Sequence, residues 1–360
     1  MGKTALVVGV TGIVGYNLAE HLRAEGWEVF GLARRPGAGP EGVVPVAADL
    51  LDAPGLRGAL GPVRPSHVFF ATWSRRPTEA ENVEVNGAMM RHLLDALSAK
   101  GGVEHVALVT GLKHYLGPFE AYAQGAVPET PFRESQPRLD LPNFYYTLED
   151  LVYEAAARDG FGWSVHRPHT IVGYAKANVM NIAATLAAYA ALCRATGRPF
   201  TFPGSAAQWN GLTDVTDARL LARHLAWAAT APAARNQALN VVNGDVFRWK
   251  WMWGRLASWF GLDPAPFPGT PRPLSEQMAD AGPVWSEVAR RHGLVEPDLD
   301  RVASFWHTDA DLGRPFECVT DMSKSRQLGF REYQASDQAF FDVFDRLRQE
   351  RVVPDAEGRS

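Results

Sequence analysis

Strand-like apolar runs and helical patterns take turns through the first 170 residues of this chain. The runs are Ala5–Val8, Val29–Leu32, Val43–Ala47, His67–Ala71, Val106–Thr110 and Trp163–His166, and the helical patterns are Ile13–Ala24, Glu79–Leu97 and Tyr146–Ala157. A helix between strands carries the chain back over the sheet, so neighbouring strands run parallel. The expectation is an α/β fold, a doubly wound parallel sheet covered on both faces. The second half reads differently. It has helical patterns near Asn181–Thr196, Thr216–Ala231, Phe247–Phe260 and Ser336–Arg351, one short strand at Ala238–Val242, and Pro and Gly clustered between Pro264 and Pro283. A smaller, mainly helical C-terminal substrate lobe is expected there. Residues 1–175 would form the sheet domain and 176–360 the lobe, with about 210–245 returning to the sheet.

Composition narrows the partners. The net charge is −4, the wrong sign for a nucleic-acid or anionic-membrane surface. No apolar stretch is long enough to span a bilayer, and the amino terminus enters a strand without the apolar core of a signal peptide, so a cytoplasmic location is expected. Cys193 and Cys318 lack metal-ligand spacing and read as inert thiols in a reducing compartment. The surplus of Arg and Ala points to a GC-rich, bacterial genome. Trp249, Trp251 and Trp253 crowd the start of one helix and read as core or interface.

Gly9-Val10-Thr11-Gly12-Ile13-Val14-Gly15 follows the first strand and opens the first helix. Glycine allows the tight turn, and the helix N-terminus offers amides to a pyrophosphate, the arrangement of a Rossmann-type dinucleotide site. The end of the second strand chooses the dinucleotide. An NAD site wants a carboxylate there for the ribose 2′-OH. Here stand Arg34 and Arg35, whose guanidinium groups suit a 2′-phosphate, so NADPH is the expected cofactor. Asp49-Leu50 follows the third strand and is read either as meeting the adenine edge or, for Asp49, as a helix N-cap.

The reactive groups come next. Asn143-Phe144-Tyr145-Tyr146 leads into a helix at the place where short-chain dehydrogenases carry Tyr-x-x-x-Lys, with the lysine one turn on and on the same face. Four residues past the two tyrosines stand Glu149 and Asp150, and a carboxylate beside a phenol disfavours phenolate. The chain has six lysines against thirty arginines, and one of the six, Lys113, lies just past the strand that ends in Val109-Thr110-Gly111. That is the carboxyl end of the sheet, where α/β folds bind ligands. Lys113 is therefore read as the replacement ammonium; an ordinary loop charge is the other reading. Only one of the adjacent tyrosines can face a ligand, because successive helical residues point about 100° apart. His114 would point away if Lys113 points in.

Several stretches match one family: Thr110 to Phe119 (Thr-Gly-Leu-Lys-His-Tyr-Leu-Gly-Pro-Phe), Asn143 to Asp150, Trp163 to Pro168, Asn240 to Phe247, and Thr72-Trp73 followed by Glu81-Asn82 and Val85-Asn86. In these the chain resembles the progesterone 5β-reductase and iridoid synthase-like enone reductases, an atypical branch of the extended short-chain dehydrogenases. The resemblance implies NADPH-dependent 1,4-reduction of the C=C bond of a small apolar enone or enal, with hydride passing to the β-carbon. It selects Tyr145 to hydrogen-bond or protonate the enolate oxygen and Lys113 to stabilise the charge and hold the cofactor ribose. A free phenol titrates near pH 10 and is a donor at neutral pH. The resemblance also assigns Ala71, Thr72, Trp73, Thr110, Tyr145, Pro168, Ile171, Asn178 and Met180 to the cofactor, the last two only loosely. It puts Trp73, Leu116, Phe119 and Tyr122 in the substrate pocket, although each also reads as ordinary core, Leu116 most of all. This chain departs from the family at His169-Thr170, where Gly-Asn is usual, and at His307 and Thr308, where bulky aromatics are usual. A homodimer is an open option. Other functions stay open as well: sugar-nucleotide epimerisation or dehydration, carbonyl reduction, or NADP binding without catalysis. Epimerases keep Tyr-x-x-x-Lys and usually NAD specificity, both missing here.

Overall fold

The computed structural model describes residues 2–118, 129–176 and 178–355. In chain order the elements are β1 (Thr4–Val8), α1 (Ile13–Ala24), β2 (Glu28–Ala33), β3 (Val44–Ala47), α2 (Ala53–Leu60), β4 (His67–Phe70), α3 (Glu79–Ser98), β5 (His105–Val109), α4 (Lys113–Leu116), α5 (Phe144–Asp159) and β6 (Gly162–Pro168). There follow β7 (Ile171–Val172), α6 (Ile182–Thr196), α7 (Ala206–Asn210), β8 (Thr216–Asp217), α8 (Ala218–Thr230) and β9 (Gln237–Val241). The last are α9 (Trp249–Phe260), α10 (Leu274–Gln277), α11 (Ala281–His292), α12 (Phe305–Leu312), α13 (Ser323–Gln327) and α14 (Ser336–Gln349). The chain divides into two compact units. One holds Met1–His169, Ala218–Val242 and Thr320–Glu332; the other holds Thr170–Asp217, Asn243–Val319 and Tyr333–Ser360.

The first unit is the doubly wound sheet that the alternation predicts. Its strand order is β3-β2-β1-β4-β5-β6-β9, with every pairing parallel. The direction of winding reverses between β1 and β4, which opens a crevice above their carboxyl ends. On one face, Leu6, Val8, Val68, Phe70 and Leu108 bury against Met90 and Leu93 of α3 and Leu148 and Val152 of α5. Both helices start on side-chain caps. Thr78 and Glu81 form a capping box at α3, and the Asn143 side chain accepts from the Tyr145 N–H at α5. Gly160, in the left-handed region at φ +83°, ends α5.

A buried histidine chain runs beneath the other face. His105 Nε2 lies 2.9 Å from Ser164 Oγ, which lies 2.9 Å from His166 Nε2. His166 Nδ1 meets His224 Nδ1 of α8 at 2.9 Å, and His224 Nε2 meets Ser325 Oγ at 3.0 Å. Ser325 Oγ donates to the Asn240 carbonyl, which fixes the direction of the whole chain: His224 donates to Ser325 and accepts from His166, His166 accepts in turn from Ser164, and His105 donates to Ser164.

The second unit pairs β7 with β8 and buries α6 from Ile182 through Cys193. Trp253 stacks on Phe200 at 4.2 Å, and Trp249 is buried as well, whereas Trp251 is exposed. Among the described residues no helix is long and apolar enough to cross a membrane.

Candidate active site

The turn after β1 needs glycine for two distinct reasons. Gly9 has φ +89°, and a Cβ on it would lie 2.7 Å from the Ala71 carbonyl oxygen and 2.8 Å from Thr72 Cβ. A Cβ on Gly15 would lie 2.2 Å from the Gly9 carbonyl oxygen, so α1 seats directly on the turn. Gly12 is the N-cap of α1, with no side-chain cap and no acid in the first turn. Thr11 and Gly12 are partly exposed while Ile13 and Val14 are buried. An uncapped helix end beside two crowded strand ends suits a pyrophosphate. Arg34 and Arg35 are exposed past β2, and among the described residues neither guanidinium takes part in an ion pair. The Asp49 carboxylate accepts from the Leu51 N–H at 2.9 Å, and the N-cap of α2 is Asp52 instead. Leu50 is buried in the core.

Lys113 opens α4 and is buried. Its ammonium lies 5.5 Å from the centre of the Trp73 ring and 5.2 Å from that of Phe144, and those two rings stack at 5.5 Å. Two π faces favour the charged amine. Tyr145 packs against Phe144 at 4.5 Å. A Cβ added at Gly111 would meet the Tyr145 hydroxyl at 3.4 Å and the Pro168 carbonyl oxygen at 3.2 Å. The phenol thus lies over the carboxyl end of β5, two residues before Lys113. Thr110 is buried, and both its N–H and its hydroxyl donate to the His166 carbonyl. Leu116 is buried on α4. Asn86 and Asn82 of α3 hold the segment after Trp73 by bonds to Ser74 and Arg76.

Tyr146 and His114 turn the other way. The Tyr146 hydroxyl donates to the His114 carbonyl at 2.6 Å and accepts from the Leu139 N–H at 3.0 Å. The His114 ring is buried, with Nδ1 3.4 Å from Glu149 Oε1, and burial lowers its pKa. Glu149, where a lysine would complete Tyr-x-x-x-Lys, accepts from Arg167 at 3.1 Å and from Arg138 at 2.9 Å. Burial pushes its carboxyl up, but the nearby His114 ring, the charge of Arg167 and the bond from Arg138 outweigh this and hold it at about 2. Its charge is therefore committed to the two guanidiniums. Arg167 goes on to Tyr115, whose hydroxyl donates to Asn240.

Sequence reasoning missed Asn143, Glu79, Arg138 and Arg167 as site-building residues. Only Asn143 carried a signal, since an Asn before an apolar helical pattern is a cap. Phe119 and Tyr122 lie outside the described residues. Ile171, Asn178 and Met180 belong to the second unit, where Asn178 accepts from the Met180 N–H. There too, Ser304 Oγ, His307 Nδ1 and Thr308 Oγ1 are buried without a hydrogen-bond partner among the described residues. Thr170 donates to Asp311.

Residues 63–354 match the model of the PRISE-like Rossmann-fold domain. The (S)-8-oxocitronellyl enol synthase CYC2 of Camptotheca acuminata is 43% identical over 98% of this chain and 93% of its own length. The 3-oxo-Delta(4,5)-steroid 5-beta-reductase of Arabidopsis thaliana is 39% identical over the same shares. Both organisms are plants, so these relatives lend no support to the bacterial origin inferred from composition. Among solved structures, the UDP-glucose 4-epimerase of Thermus thermophilus in complex with NAD aligns with a TM-score of 0.68 over 96% of this chain and 99% of its own. At 20% identity that likeness bears on the fold alone.

Proposed function

Because the chain belongs to the PRISE-like Rossmann-fold family, we propose that it is an NADPH-dependent reductase of the C=C bond of small α,β-unsaturated carbonyl compounds. The relatives at 37–43% identity named for enol synthesis and steroid 5β-reduction support an oxidoreductase of the short-chain dehydrogenase/reductase superfamily. The observation that carries the reading within this chain is the phenol of Tyr145 over the Gly111 backbone, two residues from a buried lysine.

When bound, NADPH supplies the hydride that reaches the β-carbon of the enone. Electron density then moves onto the carbonyl oxygen, and an enolate needs donors aimed at it. The Tyr145 hydroxyl donates to that oxygen, and the Lys113 ammonium, held on two aromatic faces, stabilises the charge. Trp73 and Leu116 supply apolar walls. The α1 N-terminus takes the pyrophosphate, and Arg34 and Arg35 take a 2′-phosphate. An epimerase reading has less support, since Glu149 stands where such enzymes keep the lysine.

The test is where a deuteride goes. With 4-deuterated NADPH and 2-cyclohexen-1-one, label is expected on the β-carbon of the product. Label on the carbinol carbon would make the protein a carbonyl reductase, and no turnover across a panel of enones would leave a nucleotide-binding protein. The cofactor assignment is checked separately. Arg34→Ala with Arg35→Ala should weaken NADPH binding by about 10–100-fold, the worth of one or two charge-assisted hydrogen bonds, and leave NADH binding unchanged. Tighter binding of NADH than NADPH by the wild-type protein would overturn the assignment.

A further inference from the structure

We propose that Asn143 is a positioning residue that clamps the lysine-bearing segment to the tyrosine-bearing helix; this rests on the roles given above to Lys113 and Tyr145. When one helix carries both groups four residues apart, its own backbone fixes their spacing. Here the two groups come from different segments, α4 and α5, so local geometry does nothing to hold them in register. Something else must.

The Asn143 side chain spans the gap. Its Nδ2 donates to the Lys113 carbonyl at 2.7 Å, and its Oδ1 accepts from the Tyr145 N–H at 3.0 Å. One planar amide therefore bonds the backbones of both residues. Asn143 is 3% exposed, so water does not compete for these bonds. The Lys113 carbonyl also accepts from the Gly117 N–H at 2.9 Å, which closes the single turn of α4 around the same point. A second strap lies one residue further along each segment, where the Tyr146 hydroxyl meets the His114 carbonyl. Glu79 of α3 anchors the helix start from outside by accepting from the Phe144 N–H at 2.8 Å.

A side-chain oxygen alone would cap α5; Ser, Thr and Asp all do so elsewhere. Capping thus explains the Oδ1 bond but leaves the Nδ2 bond to Lys113 unexplained. Asn adds a donor on the opposite side of the same flat group, which those residues lack in that geometry. The Nδ2 bond is the part that serves the site, because a displacement of about 1 Å at reacting groups costs about 10²-fold in rate.

Asn143→Ser separates the two roles, since serine keeps an oxygen for the cap and loses the reach to Lys113. Turnover of 2-cyclohexen-1-one is expected to fall by about 10–100-fold, with KM and the NADPH dissociation constant little changed. In the double variant with Lys113→Met the loss should match that of Lys113→Met alone, because Asn143 acts through Lys113. Wild-type turnover in Asn143→Ser, or fully additive losses in the double variant, would overturn the proposal. A third readout needs no catalysis: the rate at which acetic anhydride labels the Lys113 amine, followed by mass spectrometry, should rise in Asn143→Ser. If the wild-type protein reduces no enone, the functional reading falls, and this labelling alone decides the clamp; an unchanged rate sinks it. Should Asn143→Ser fail to fold, Asn143→Asp, which keeps the capping oxygen and loses the Nδ2 donor, carries the same three measurements.

Discussion

Lys113→Met is expected to lower enone turnover by roughly 10²–10³-fold, the usual cost of losing one donor to a developing oxyanion. NADPH should still bind, because the glycine turn and Arg34 and Arg35 are untouched. Methionine nearly matches lysine in length and is apolar, so it can stay against Trp73 and Phe144 without the charge. Tyr145→Phe should fall by a similar factor for the same reason, keeping the ring packed on Phe144 and losing only the hydroxyl over Gly111. The two losses should not multiply in the double variant if both groups serve one oxygen. Lys113→Arg is not expected to rescue activity, since a planar fork replaces a compact ammonium in a slot shaped by two rings. Steady-state rates alongside cofactor titrations decide the matter. Full activity in either single variant would remove that residue from the mechanism.

The second large effect is on stability, and it begins at mild acidity. His105 and His224 are driven down to about 3 by burial, and His166, wholly enclosed, well below its ordinary 6.5. The hydrogen-bond chain agrees for His166 and His224, because each must accept at one nitrogen and so cannot carry a second proton. Folding thus keeps three imidazoles neutral that the unfolded chain would protonate below pH 6.5. A depressed folded pKa contributes stability above the unfolded value and loses it as pH falls. At pH 4.5 His105 and His224 each cost about 3 kcal/mol, and His166 adds to the loss in the same direction. That is comparable to the 5–15 kcal/mol, in round figures, by which whole domains are stable. Urea or thermal unfolding between pH 7.5 and 4.5 should show stability falling from about pH 6.5 downward, before the carboxylates begin to titrate. His224→Gln, which keeps a donor and an acceptor, should make the slope shallower. A melting temperature that stays flat between pH 7 and 5 would contradict this account.

The sheet was legible because its signals are local. Periodicity predicts α1 over Ile13–Ala24, the range observed, and marks β1 to β6 to within a residue or two, missing the short β7. It misses α2, since Pro54, Gly55 and Gly58 dilute the helical pattern, and a stable turn there depends on the Asp52 cap and the burial of Leu56 and Leu60. It also runs β8 into α8, because Thr216-Asp217 reads as a helix start. Lys113 stood out by its rarity, whereas the helix start offered both tyrosines and the family resemblance chose Tyr145. The partners that fix them did not. Glu149 reads locally as a carboxylate beside a phenol, yet its bonds go to Arg138 and Arg167, with the His114 ring 3.4 Å away. The histidine chain joins β5, β6, α8 and α13, and no spacing in the sequence announces it.

Glu149 also closes off a route between enzyme lineages. Writing lysine at that position would restore the familiar Tyr-x-x-x-Lys string, but it would set an ammonium among Arg138, Arg167 and His114 and strip both guanidiniums of the carboxylate they share. The string would return without its chemistry. Drift through a single exchange at this position therefore meets a cost, because Arg138 and Arg167 would lose their shared carboxylate at the same step.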